Sequence, residues 1–459
     1  MARFYNLLGR QDTIKRGRLS TYFNLILLSV ASLLFSGINF LEINGQIIFL
    51  IHRLFIMFLI VYFLRIVVAQ NQIGLTQLDI AIFVFLIIIL ARLISEAWNP
   101  YPLTGSLSIA LQLMFVAAFY FSIGSHPVNR RKLRLLFRIW IMIVLLVSIY
   151  GFYQVFARNI GLPLANLRIG SFYTVDAHLG GFQRPTSLFR EPTYYSAFVL
   201  PGYVFFTVIY FYGEAKSILF SSARKNKLVI LFFWVNYFFI ASLGGFIAIA
   251  STAGIAFLIQ NKVRRILTLL GALFLLLLFM ILSFGQGIDI VYEPADRIVR
   301  FTNSIVSLLL GDGQVRGSVG IRITRLYWAF QVWAQNPVFG VGINNIIYMS
   351  DLTFPEWYSG RSFSPVTHSI LGFLIASTGI IGTISYAWIY VSGYKHLQSA
   401  VKSFSRFSNK CLVYGVGYAV LVNFFNGFFS IPIANAQSWF LFALVSILYS
   451  YSHESSSVD

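Results

Sequence analysis

Charge is scarce in this chain. Only 11% of its 459 residues are Asp, Glu, Lys or Arg, 58% are hydrophobic, and the mean hydropathy is +0.77. A soluble domain is typically about 25% charged and about 45–50% apolar. An ordinary water-soluble surface is excluded, and the chain reads as an integral membrane protein. Cysteine is nearly absent as well: Cys411 is the only one, which rules out an intramolecular disulfide framework and any cysteine-based metal site. Walker-type phosphate loops, HExxH pairs and clustered His/Asp sets with metal spacing are missing too. No metal site and no cofactor are expected.

Long apolar runs are what the chain has in quantity. A spanning helix needs about 20 mostly apolar residues. Twelve stretches qualify, near 21–41, 47–68, 79–95, 106–123, 137–157, 193–212, 228–243, 245–260, 266–284, 368–391, 411–430 and 435–452. The expected fold is an all-α polytopic membrane protein, one integral membrane domain over 1–459, with no internal repeat and no linker between soluble domains. Gly244-Gly245 divides 228–260 either into two short spans or into one bent helix. The basic N-terminus (Arg10, Lys15, Arg16, Arg18) precedes an apolar run with no small-residue cleavage site, the pattern of a first transmembrane helix rather than a removed signal peptide.

Lys and Arg in the loops set the orientation. With the N-terminus inside, 21 of the 34 basic residues fall in inside segments: five at the N-terminus, five at 130–138, four at 216–227, three at 262–265 and four at 395–410. Arg53, Arg65 and Arg92 lie in or near spans, where an ionisable residue is a functional candidate by default. An even number of spans puts the C-terminus inside too. The net charge of +19 is thereby mostly absorbed by inside loops, and no nucleic-acid partner is expected. Two outside loops are long, one at 158–192 and a larger one at 285–367.

The ten outside basic residues are Arg158, Arg168, Arg184, Arg190, Arg297, Arg300, Arg316, Arg322, Arg325 and Arg361, while all nine lysines fall inside. The guanidinium is a rigid fork that grips phosphate oxygens bidentately, and lysine is a mobile point charge. An outer surface basic through arginine alone suits a diphosphate or an acidic sugar. The bland reading is pairing with the ten outside carboxylates, among them Glu96, Glu191 and Asp312.

Three segments concentrate the chemistry. In RPTSLFREPTYY, Arg184, Arg190 and Glu191 stand just before a span whose first turn Pro192 suits. Glu191 there either gains from the helix dipole, orients an arginine or serves as a carboxylate base. From about residue 320 an amphipathic helix places Arg322, Arg325, Ala329 and Trp333 on one side, stops at Asn336-Pro337 and leads into a Gly340-Val341-Gly342 turn. His368 opens the next span, where an imidazole serves either as a cap or as a general base near neutral pH.

These segments, in this order on a chain of about twelve spans, resemble the O-antigen ligase and polymerase superfamily over roughly residues 140–395. The similarity is carried by RLYWAFQVWAQNPVFGVGINN followed by a long loop and THSILGFLIASTGIIG. RPTSLFREPTYYSA resembles the matching segment of the Wzy-type polysaccharide polymerases. The resemblance implies a GT-C-like glycosyltransferase of the bacterial inner membrane. It acts at the periplasmic face on glycans carried by undecaprenyl diphosphate, with both termini cytoplasmic. It also implies the site: Arg184, Arg190, Arg316, Arg322, Arg325 and Tyr194 for substrate, and Glu191 and His368 as base or orienting groups. The expected activity is polymerisation of a surface polysaccharide without metal. The partners are the lipid-linked oligosaccharide, membrane lipid and, for a polymerase, a chain-length regulator. A ligase that moves glycan to another acceptor is the alternative. A transporter of anionic lipid-linked sugars fits less well, because transporters hold charge near the midplane and often carry repeats.

Overall fold

The computed structural model describes residues 13–35, 41–43, 46–48, 56–61, 64, 75–98, 103–126, 128–165, 178–179, 182–189, 191–240, 242–259, 317–343, 345–352, 369–429 and 435–456. Among the described residues are eleven long α-helices: α1 (Thr13–Ala31), α2 (Gln77–Glu96), α3 (Thr104–Gly124), α4 (Arg130–Ile160), α5 (Pro192–Phe211), α6 (Ala223–Ile240), α7 (Leu243–Ile259), α8 (Gly317–Gln335), α9 (Ile370–Ser403), α10 (Phe407–Gly427) and α11 (Ala436–Ser456). Among the described residues, five of them, α2, α3, α4, α5 and α9, are long and apolar enough to cross a membrane.

Several expected boundaries move. The first span was expected at 21–41, but α1 starts at Thr13 and gives way to a 3₁₀ turn at Ser32–Phe35. Beyond it an antiparallel hairpin pairs β1 (Leu41–Ile43) with β2 (Gln46–Ile48), so the 47–68 span cannot begin where expected. The physical reason is in the sequence: Asn44-Gly45 is the favoured two-residue hairpin connection, and it outweighs the apolarity around it. A second short hairpin pairs β3 (His178–Leu179) with β4 (Phe182–Gln183), and the fold is otherwise that of an α-helical membrane protein. The 228–260 region holds two helices, α6 ending at Ile240 and α7 beginning at Leu243, so the Gly-Gly pair lies in the first turn of α7. The expected span 266–284 lies outside the described residues.

Helix starts follow local capping. Thr76 caps α2 in a reciprocal box with Asp79, Asn129 caps α4 by accepting from the Lys132 N–H, and Gly161 ends α4 in the left-handed conformation (φ 71°). Packing centres on two hubs. α5 lies among α4, α6 and α10, and α9 lies among α2, α8, α10 and α11. Buried rings fill the joint between α4, α5 and α11: Trp140 stands 5.1 Å from Phe205 and 5.8 Å from Phe440. Each buried ring of this size contributes roughly 2–3 kcal/mol of transfer free energy against water. Against lipid the gain is mainly close packing.

Polar contacts collect at the two ends of the bundle. At one, here the lower end, Arg130 donates to Ser408 Oγ (3.0 Å) and Arg138 to the Ile218 carbonyl (2.7 Å). At the upper end lie the C-termini of α2, α4, α6 and α10 and the N-termini of α5, α7, α9 and α11, with Arg92, Arg158 and Arg184 among them.

Candidate functional site

One polar cluster at the upper end is built on α4. Gln154 and Arg158, one turn apart near its C-terminus, reach the segment that leads into α5. Gln154 Oε1 accepts the N–H groups of Thr186 (3.1 Å) and Ser187 (2.7 Å), and its Nε2 donates to the Ser187 carbonyl (3.0 Å). Arg158 donates to the carbonyls of Ala165 (3.2 Å) and Arg184 (2.9 Å) and to Thr186 Oγ1 (2.9 Å). Ser187, held at φ 49°, donates through Oγ to the Val147 carbonyl (2.7 Å). The segment that carries Arg184 and Glu191 is therefore pinned at each end of the Thr186-Ser187 pair.

Arg184 turns its own fork onto the end of α6. Nε and Nη2 both donate to the Ile240 carbonyl, at 2.8 and 2.6 Å. A cation at a helix C-terminus is favoured by the dipole and satisfies a carbonyl that the helix leaves open. Glu191 is the N-cap residue of α5, with extended backbone and Pro192 at the first position. Its side chain makes no cap bond, and among the described residues the half-buried carboxylate has no hydrogen-bond partner. Tyr194, in the first turn of α5, is exposed. Beneath them is a buried polar layer, in which Asn236 donates to the hydroxyls of Tyr195 (2.6 Å) and Tyr203 (2.8 Å), and Tyr203 meets Ser148 (2.5 Å).

The second cluster is formed by α8 and α9. α9 is broken at Gly379 (φ 63°, ψ −162°), ten residues from its start. A break there removes the helical bonds from Ile380 to Ala376 and from Ile381 to Ser377. The Pro337–Gly342 loop replaces both. Val341 N–H donates to the Ala376 carbonyl (2.8 Å) and Gly342 N–H to that of Ser377 (3.0 Å), while Ile380 and Ile381 N–H donate to the carbonyls of Pro337 (3.0 Å) and Val338 (3.4 Å). The backbones approach so closely that a Cβ on Gly379 would stand 2.4 Å from the Val338 oxygen, and one on Gly340 2.6 Å from the Ala376 oxygen. The Pro-x-x-Gly-x-Gly pattern is thus a clasp for a broken helix.

The clasp fixes how α8 lies. Leu326 and Ala329 face Gly372, and Pro337 meets Ile380, so α8 and the outer half of α9 run parallel in constant register. That register brings Arg325 level with the N-terminus of α9, where Ser369 caps the helix by accepting from the Gly372 N–H (3.4 Å). The expected face of Arg322, Arg325, Ala329 and Trp333 is turned by part of a turn. The buried stripe is Trp328, Ala329 and Val332, with Arg325 half-buried at its upper edge. The helix begins at Gly317 rather than near 320.

Arg190, Arg316 and His368 lie outside the described residues, as does the side chain of Arg322. Among those described, the structure gathers Arg184, Glu191 and Tyr194 around the start of α5, and sets Arg325 apart on α8. Gln154, Arg92 and Glu96 were missed as site residues. Arg92 had one signal, an ionisable group inside a span, and Glu96 stands one turn beyond it. Among the described residues no group of three or more His, Cys, Asp or Glu could hold a metal ion.

These features define a multi-pass helical membrane protein with a broken helix and arginines gathered at one end of the bundle. Residues 228–387 match the family model described as O-antigen ligase. The matched segment runs from α6 through α8 and the clasp to the part of α9 beyond its break. The match supports kinship with the O-antigen ligase superfamily and a role in making surface polysaccharide. No curated protein matches the chain.

Proposed function

We propose that this protein is a polysaccharide polymerase of the bacterial inner membrane. It transfers a glycan from undecaprenyl diphosphate to a hydroxyl of a second lipid-linked oligosaccharide, at the periplasmic face. The observation that carries the reading is the match of residues 228–387 to the O-antigen ligase family model. Two features of the geometry support it. The upper end of the bundle carries arginines, and Arg325 stands level with the positive N-terminus of α9.

In the reaction the acceptor hydroxyl attacks the anomeric carbon of the donor sugar. The bond from that carbon to the diphosphate oxygen breaks, and its electron pair leaves with the lipid diphosphate. Arg184, Arg190, Arg316, Arg322 and Arg325 are the groups assigned to that diphosphate, whose charge grows as it departs. The hydroxyl proton passes to a base, Glu191 or His368. The unpartnered state of the Glu191 carboxylate among the described residues supports its candidacy. Tyr194 offers an exposed ring to the sugar or the lipid. No metal takes part in this scheme, and a chain-length regulator is the protein partner it leaves room for.

The match to an O-antigen ligase family favours a second reading, ligase-type transfer to a different acceptor. Purified protein in lipid discs, given lipid-linked repeat units alone, separates the two. A polymerase yields a ladder of products, and a ligase leaves single units until its own acceptor is added. Arg184→Ala and Arg322→Ala are each expected to abolish the ladder and leave single units in place. Wild-type ladders from both variants would sink the proposed site.

A further inference from the structure

The clasp has a third party, the last turn of α2. Arg92 and Glu96 stand there one turn apart. Arg92 Nη2 donates to the Gly340 carbonyl at 2.9 Å, and its Nη1 donates to Ser95 Oγ at 3.1 Å. Glu96 is 1% exposed, and its Oε1 accepts the N–H of Ile343. The bonding of the loop's backbone explains why these two are present. The break in α9 takes the N–H groups of Val341 and Gly342 and the carbonyls of Pro337 and Val338. Asn345 covers the Val341 carbonyl, and Ser377 Oγ covers that of Ile343. Of the loop's other backbone groups, the Gly340 carbonyl and the Ile343 N–H find their donor and acceptor on α2.

A buried carboxylate is an expensive acceptor, and a neutral amide could take the same N–H. What Arg92 and Glu96 add is two directional bonds to the loop, at Gly340 and Ile343, on either side of Val341-Gly342. The fit is also close: a Cβ on Gly342 (φ 117°) would lie 2.7 Å from Glu96 Oε1. The loop joins the end of α8 to the break in α9. Whatever fixes it to α2 therefore fixes the α8 and α9 pair, with Arg325 at its upper edge, to the membrane bundle.

We infer that Arg92 and Glu96 are positioning residues. They hold the Pro337–Gly342 loop in the broken helix and so keep the arginine-bearing edge of α8 in register beside the start of α9 during transfer. The inference rests on the reading that this edge belongs to the diphosphate site. A displacement of about 1 Å in such a site costs on the order of a hundredfold in rate.

Full-length protein in lipid discs, in a Cys411→Ser background, provides the test. Glu96→Ala is expected to lower kcat at least tenfold while KM for the lipid-linked donor stays within threefold. Glu96→Gln, whose amide oxygen accepts the same N–H, is expected to return kcat to within threefold of the wild type. An independent readout is the oxidation rate of an Ala329→Cys, Gly372→Cys pair, which reports the α8–α9 register whatever the substrate. It is expected to fall with Glu96→Ala and to hold with Glu96→Gln. Wild-type kcat in Glu96→Ala, or equal loss in both variants, overturns the inference, as does an unchanged oxidation rate in Glu96→Ala. If the parent protein transfers no glycan but the oxidation rate still follows Glu96, the functional reading fails and the clamp stands. Should Glu96→Ala not fold, Arg92→Ala carries the same expected fall in kcat, and wild-type kcat there overturns the inference.

Discussion

Two arginines at the upper end illustrate how one side-chain type serves both structure and chemistry. Arg158 makes three bonds in three directions, to Ala165, Arg184 and Thr186. Arg184 spends two donors on the Ile240 carbonyl. Lysine cannot copy a planar fork with donors on several sides. Arg158→Lys keeps the charge and loses that geometry, so it is expected to lower transfer at least tenfold and the melting temperature by a few degrees. If the lysine variant matches the wild type in both, charge alone suffices and the pinning of the Thr186-Ser187 segment is unimportant. The sequence showed both arginines, and their place in one outside loop between two spans was legible. Their bonding partners were not, because Ile240 is 56 residues from Arg184 and joins it only through packing.

At the scale of elements, the break in α9 is the feature that pattern alone misreads. The hydropathy of 368–391 is that of one continuous span, and Gly379 inside it reads only as a tolerated helical glycine. The structure places it at φ 63° and ψ −162°, a conformation open essentially to glycine, with another backbone against it. Gly379→Ala adds both backbone strain and a collision with the Val338 oxygen. It is expected to destabilise the protein by at least about 2 kcal/mol and to expel the loop, seen as new protease cleavage near 337–342. Gly161→Asn is the control. That glycine also has positive φ (71°), but a Cβ there meets nothing within 4 Å, and asparagine tolerates the conformation. Equal stability losses in the two variants would remove the clasp as the cause.

The whole molecule is organised by which end each loop reaches. Chain order, helix direction and end-to-end contacts agree that Arg130 and Arg138 share one end and Arg92, Arg158 and Arg184 the other. Basic loops favour the cytoplasm, so the lysine-bearing end is proposed to face inward. In a Cys411→Ser background, Leu164→Cys is expected to react with an impermeant maleimide in intact spheroplasts. Ala223→Cys is expected to react only after lysis. Leu164 and Ala223 are both exposed and stand at opposite ends, so the reverse pattern would invert the topology.

The sequence by itself determined the solvent of this protein. Low charge, long apolar runs and the confinement of lysine to alternate loops are one-dimensional properties, and a bilayer reads them directly. It also determined the short-range devices, since a cap such as Thr76 with Asp79, the proline that opens α5 and the glycine turn after Asn336-Pro337 act within a few residues. Only the tertiary structure decided what those devices are for. The glycine turn is a clasp because α9 breaks beside it, and Glu96 has a role because a loop 247 residues away presents an N–H that nothing else accepts. The reason is that a backbone group buried at membrane depth must find a partner. Which partner it finds depends on the packing of distant segments, which no local pattern encodes.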